Sequence, residues 1–172
     1  MKQRIIASTL AVAATLASIP SEAAPVYRQT RDSAPRVDAY QEVYTYVGID
    51  MMSYSYSGTA NDSGSSTRLT FGQRFEEFVS AETQLAIGDG THEYSVGVYA
   101  RGALPMGRLQ LKALIGLAAS QFDNSGTIEN VKSISYGGGA ELTLWRDWYF
   151  NADYMSYDSS LDSINLGIGT RF

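Results

Sequence analysis

From Val43 to Phe172 apolar and polar residues take turns along the chain. In the run Arg108–Gln121, Leu109, Leu111, Ala113, Ile115, Leu117 and Ala119 share one face; Gln110, Lys112, Leu114, Gly116, Ala118 and Ser120 share the other. Successive side chains of a strand point to opposite sides, so this period of two predicts β-structure with two unlike faces. The pattern divides the chain into eight strand-like runs: Val43–Ser57, Thr67–Phe75, Phe78–Gly88, Glu93–Leu104, Arg108–Gln121, Lys132–Leu144, Trp148–Tyr157 and Ser163–Phe172. The last is clear: Ile164, Leu166, Ile168 and Phe172 oppose Asn165, Gly167, Gly169 and Arg171.

Charge decides which face looks where. Asp50, Arg68, Arg74, Glu82, Arg101, Lys112, Glu141, Asp153 and Arg171 all fall on the less apolar face, and none falls on the more apolar one. A soluble barrel keeps its charges outside. A barrel in lipid reverses this, because Arg or Lys facing mid-bilayer costs ~2–4 kcal/mol. The runs are also close to the ~9–11 residues that a tilted strand needs to cross a bilayer. The expected fold is all-β: an eight-stranded, antiparallel, up-and-down transmembrane β-barrel. Its nine inward charges, five basic and four acidic, are expected to pair as a network, since eight strands enclose a space that side chains can fill.

The links between runs suggest polarity. Glu76-Glu77, Pro105-Met106-Gly107 and Arg146-Asp147 read as tight turns, while Gly58–Ser66, Phe122–Val131 and Asp158–Asp162 read as longer polar loops; Asp89–His92 is short. Short periplasmic turns and longer outer loops are the barrel asymmetry. Aromatics bunch at both ends. Phe75, Phe78, Trp145, Trp148, Tyr149, Phe150 and Phe172 lie toward the turns; Tyr54, Tyr56, Tyr94, Phe122, Tyr136, Tyr154 and Tyr157 lie toward the loops. Both sets are expected to form interfacial girdles.

The residues before Val43 have another character. Lys2 and Arg4 precede the apolar stretch Ile5 to Ile19, and Ser21-Glu22-Ala23 offers small residues for cleavage. Residues 1–23 are expected to be a signal peptide cut after Ala23, with Ala24 as the alternative. Residues 24–42, with Pro, Arg and Asp and no periodicity, read as a flexible periplasmic leader, and 43–172 as the barrel. A net charge of −5 disfavours nucleic acid, and the lack of cysteine excludes a thiolate metal site.

Candidate chemistry is sparse. His92 is the one histidine, with Glu93 and Ser95 nearby, in a link expected at the outer rim. A lipid-modifying enzyme would need an oriented base and nucleophile there; a solvated loop histidine is the simpler expectation. Asp62, Asp89, Asp123, Glu129, Asp158 and Asp162 are expected in outer loops, where they could share divalent cations with lipid phosphates. No cofactor is expected.

Several motifs carry a family resemblance: Gly72-Gln73-Arg74-Phe75 into a turn and Phe78-Val79-Ser80-Ala81-Glu82 out of it, Tyr99-Ala100-Arg101-Gly102-Ala103-Leu104-Pro105, Tyr136-Gly137-Gly138-Gly139-Ala140-Glu141, and the closing Leu166-Gly167-Ile168-Gly169-Thr170-Arg171-Phe172. Over Tyr44 to Phe172 the chain resembles the small outer-membrane barrels of the OmpA transmembrane-domain and OmpX type. The resemblance implies a place in the bacterial outer membrane among lipid and lipopolysaccharide. It also implies assembly by the outer-membrane insertion machinery, which would read Leu166, Ile168 and Phe172. A monomer with a structural or surface-interaction role is the favoured reading, with a host or surface ligand held by the loops. A narrow porin-like channel and a lipid A-modifying enzyme stand as alternatives.

Overall fold

The structure, a computed structural model, describes residues 43–57, 62–88, 91–124, 127–145 and 147–172. The expected signal peptide and leader, with Asp89 and Arg146, lie outside the described residues, and the side chain of Glu129 is not described.

Eight strands form a closed antiparallel barrel in chain order: β1 (Tyr44–Tyr56), β2 (Asp62–Glu76), β3 (Val79–Gly88), β4 (His92–Met106), β5 (Leu109–Asn124), β6 (Thr127–Trp145), β7 (Trp148–Asp158) and β8 (Leu161–Arg171). Closure pairs β1 with β8, Tyr46 opposite Arg171 through Tyr56 opposite Leu161. At the seam Thr45 N donates to Phe172 O at 2.9 Å, and Phe172 N donates to Thr45 O at 2.9 Å. Closure satisfies every edge in the bilayer, where an unpaired backbone amide finds no water.

The alternation sorts as the physics of lipid requires. Ile49, Leu117, Ile134 and Ile168 on the apolar face are exposed, while the polar face of the same strands is buried within the barrel. Small residues make that interior possible. A Cβ at Gly72 would overlap the Tyr46 ring, so glycine there clears the space that a large neighbour fills. Gly107, with φ of 69°, turns the chain between β4 and β5.

Two sequence expectations are corrected. First, the outer links are short. Segments expected as loops are strand: β2 begins at Asp62, β5 runs to Asn124, β6 begins at Thr127, and β7 and β8 are joined through Ser159 and Ser160. Outside the bilayer neither face must be apolar, so strand pairing continues there without the alternation that marks it elsewhere. Second, only part of the loop-end aromatic set faces outward. Tyr136 and Tyr154 are exposed, but Tyr54, Tyr56, Phe122 and Tyr157 are buried inside. At the turn end Phe75, Phe78, Trp145, Trp148, Phe150 and Phe172 face out and Tyr149 faces in.

Candidate functional site: the barrel interior and its outer end

The polar face of each strand delivers its charge inward because the opposite face is given to lipid. All nine charges named from the sequence are buried. Arg68 on β2 is the upper hub: its Nη2 donates to Asp50 Oδ2 at 2.8 Å and to Asp153 Oδ2 at 2.9 Å. Asn151 Nδ2 donates to Asp50 Oδ1 at 2.8 Å, and Asn165 Nδ2 to Asp153 Oδ1 at 2.8 Å.

Glu141 on β6 is the lower hub. Its Oε1 lies 2.9 Å from Arg101 Nη1, and its Oε2 lies 2.9 Å from Arg171 Nη2. Arg101 also reaches Glu82 Oε2 at 3.2 Å, which accepts from Tyr46 OH at 2.9 Å. Lys112 joins the hubs, with Nζ 2.8 Å from Asp153 Oδ2 and 3.8 Å from Glu141 Oε1. Eight of the nine charges are thus connected. Arg74 is held toward the turn end, where Nε donates to Glu76 O at 3.0 Å and Nη1 to Tyr44 OH at 3.1 Å.

The cations are also packed on rings. Arg101 lies 4.7 Å from the Tyr46 centroid and Arg171 4.6 Å from the Tyr149 centroid. A desolvated cation over a ring face gains ~2 kcal/mol or more. A small cavity between the hubs has Asp50, Lys112, Glu141, Tyr149 and Asn151 among its lining residues.

Above this layer, toward the outer end, lies a second one that the sequence reading missed. Met52, Tyr54, Tyr56, Leu114, Phe122, Met155, Tyr157 and Leu161 form one buried apolar cluster. Tyr56 stacks on Phe122 with centroids 4.3 Å apart and planes 8° from parallel. The available signal was that Tyr54, Tyr56 and Met52 share the parity of Asp50 on β1, which is the inward parity.

His92 belongs to this layer. It opens β4, fully buried, and is not a solvated loop residue. Its Nδ1 is 2.7 Å from Ser66 Oγ and its Nε2 2.7 Å from Ser95 Oγ, and Ser95 Oγ donates to Ser120 Oγ at 2.6 Å. Tyr54 and Phe122 flank the ring, each with its centroid 5.1 Å away. Glu93 is engaged by Gln121. Both imidazole nitrogens thus meet hydroxyls, and the carboxylate beside His92 in sequence is turned to another partner.

The outer carboxylates have their own partners. Asp62 accepts from Tyr54 OH at 3.4 Å, Asp158 from the Ser159 amide at 2.6 Å, and Asp162 is hydrogen-bonded by Tyr154. Among the described residues no three acidic, His or Cys side chains are grouped to hold a metal. Leu166 and Ile168 point outward on β8, and Phe172, which follows that strand, is exposed.

A closed eight-stranded barrel with an apolar exterior, an exposed aromatic band and buried charges defines a small transmembrane barrel of the Gram-negative outer membrane. The comparisons agree. The family described as "Outer membrane protein beta-barrel domain" matches residues 9–172, and the chain belongs to that family. No curated protein matches it. Among solved structures it resembles the N-terminal β-barrel domain of Pseudomonas aeruginosa OprF, with a TM-score of 0.57 and 15% identity over 74% of this chain and 97% of that one. It also resembles OprG of Pseudomonas aeruginosa, with a TM-score of 0.56 and 14% identity over 77% and 97%. A third is Ail, the attachment invasion locus protein of Yersinia pestis, solved with the heparin analogue sucrose octasulfate, with a TM-score of 0.51 and 17% identity over 76% and 98%. At such identities the likeness speaks for the fold.

Proposed function

We propose that this outer-membrane barrel is closed by its own side chains and serves as a structural and surface-interacting element of the cell envelope, with no catalytic role. The observation that supports this reading is the stacking of two layers of buried side chains. The ion-paired layer around Arg68 and Glu141 lies beneath the apolar layer around Tyr56 and Phe122. An ion crossing the barrel would have to break buried pairs and then pass an aromatic cluster. Catalysis at His92 is disfavoured by its burial among hydroxyls and rings, since a base must be oriented by a third group and meet a substrate.

The surface role rests on strands that continue beyond the bilayer. Ail was solved with a sulfated sugar analogue, but a polyanion suits this chain poorly. Its outer end carries Asp62, Glu93, Asp123, Asp158 and Asp162 against exposed Lys132. Those carboxylates could instead share divalent cations with lipopolysaccharide phosphates. Assembly as a monomer by the outer-membrane insertion machinery, reading Leu166, Ile168 and Phe172, completes the proposal.

The test is conductance of the purified barrel in planar bilayers, on protein whose heat-modifiable gel migration shows it folded. The wild type is expected to conduct no steady current. Steady single-channel currents from the wild type would favour the narrow-channel reading.

A further inference from the structure

Gly48 stands apart from other inward glycines. At Gly72, Gly116, Gly139 and Gly167 a Cβ would overlap neighbouring side chains or backbone, so only glycine fits. At Gly48 a Cβ would lie 3.4 Å from Tyr149 OH, 3.5 Å from Ile168 O and 3.7 Å from the Thr70 Cβ, all ordinary contacts. Among the described glycines only Gly107 has a positive φ, so the backbone does not call for glycine at 48. Gly48 and Thr70 also line the small cavity between the hubs. What the glycine keeps clear there is room for one group the size of water.

The walls of that cavity call for a ligand that both donates and accepts. Asn151 is buried, and its Nδ2 donates to Asp50 Oδ1 at 2.8 Å and to Asp153 Oδ2 at 3.1 Å. Both partners are acceptors, which fixes the orientation of the amide. Its Oδ1 then has no hydrogen-bond partner among the described residues. Lys112 Nζ has three protons to donate. It reaches Asp153 Oδ2 at 2.8 Å, but the 3.8 Å to Glu141 Oε1 is too long for a hydrogen bond. Such a separation between polar groups suits a bridging water.

We infer that one water molecule is a built-in part of this interior, bound in the cavity that Gly48 keeps clear. It accepts from Lys112 Nζ and donates to Asn151 Oδ1 and Glu141 Oε1, three partners, the usual number for a buried water. It thereby completes the join between the upper and lower hubs where the lysine alone falls short of Glu141. The ligand is neutral because the connected charges, four basic and four acidic, already balance. A sodium ion in the same place would add a buried charge with no counterion, beside Lys112. The inference goes beyond the envelope role and concerns the interior, whatever the outer end contacts.

The experiment uses the folded, isotope-labelled barrel in nanodiscs and reads cross-relaxation between water and the Gly48 Hα protons by NMR. The wild type is expected to show a cross-peak with the sign of a long-lived bound water. The cross-peak should persist in Y149F and in T70V, which remove the exchanging hydroxyls nearest Gly48. G48A puts a methyl group where the water sits. It is expected to lose the water signal at residue 48 and to raise the unfolding equilibrium constant in urea about tenfold, because a buried acceptor is left without its donor. Filling a dry void would do the reverse, since alanine in place of glycine also restricts the unfolded chain. The inference is overturned by equal or greater stability of G48A, by no cross-peak in the wild type, or by a cross-peak that vanishes in Y149F or T70V. Stability that rises with sodium over choline at equal ionic strength also overturns it, by putting a cation in the site. Heat-modifiable migration checks that each variant is folded.

Discussion

Lys112 lies between two carboxylates, 2.8 Å from Asp153 and 3.8 Å from Glu141, and so ties the upper and lower halves of the interior network together. Neither carboxylate is on the strand that carries the lysine, and both are buried. A buried pair offsets its desolvation only while its partners are present, so removing one member leaves an uncompensated charge.

K112M is expected to destabilise the barrel by about 3–5 kcal/mol, the range for breaking a buried ion pair. The methionine keeps the volume and removes the charge. Urea unfolding in lipid vesicles measures it. A loss under 1 kcal/mol would mean that the interior is solvated and the network is not holding the fold.

I115R should behave in the opposite sense to its neighbours inside. Ile115 is exposed on the lipid face, three residues along β5 from buried Lys112. An arginine there is expected to cost ~2–4 kcal/mol. The gel shift on heating should diminish, and a fully folded, equally stable variant would put that face outside the bilayer.

At Gly72 a Cβ would overlap the ring of Tyr46, whose hydroxyl donates to Glu82 at 2.9 Å. G72A is expected to cost about 1–3 kcal/mol by overpacking. Combined with Y46L the two losses should be less than additive, because the smaller side chain frees the space. Strict additivity in a double-mutant cycle would show that the two sites do not share that space.

The apolar layer offers a test independent of charge. F122A removes the partner of Tyr56 in the outer cluster and is expected to cost about 3–5 kcal/mol. Joined to R101A, it should raise planar-bilayer conductance above either single variant. No conductance from the double variant would place the barrier elsewhere.

Legibility in the sequence followed the membrane. Leu109 to Ala119 could be sorted into two faces because lipid tolerates only apolar side chains on one of them, and β8 was readable to its last residue for the same reason. Where β5 and β6 leave the bilayer that constraint ends. Residues 122–131 therefore looked like a loop, although they pair as strand to Asn124 opposite Thr127. The same loss of contrast misassigned Tyr54, Tyr56, Phe122 and Tyr157, because an aromatic near a strand end fits either a girdle or a plug. For Tyr54 and Tyr56 the parity of Asp50 would have settled it.

The sequence by itself determined the number of strands, their lipid-facing side and the inward placement of nine charges, since a period of two with a charge-free face has one arrangement in a bilayer. Only the tertiary structure decided the partners. Glu141 serves Arg101, Lys112 and Arg171 because closure and strand stagger bring four strands to one depth. His92 meets Ser66 and Ser95 for the same reason. Stagger is a property of the closed sheet, set by register between strands, and alternation within one strand carries no record of it.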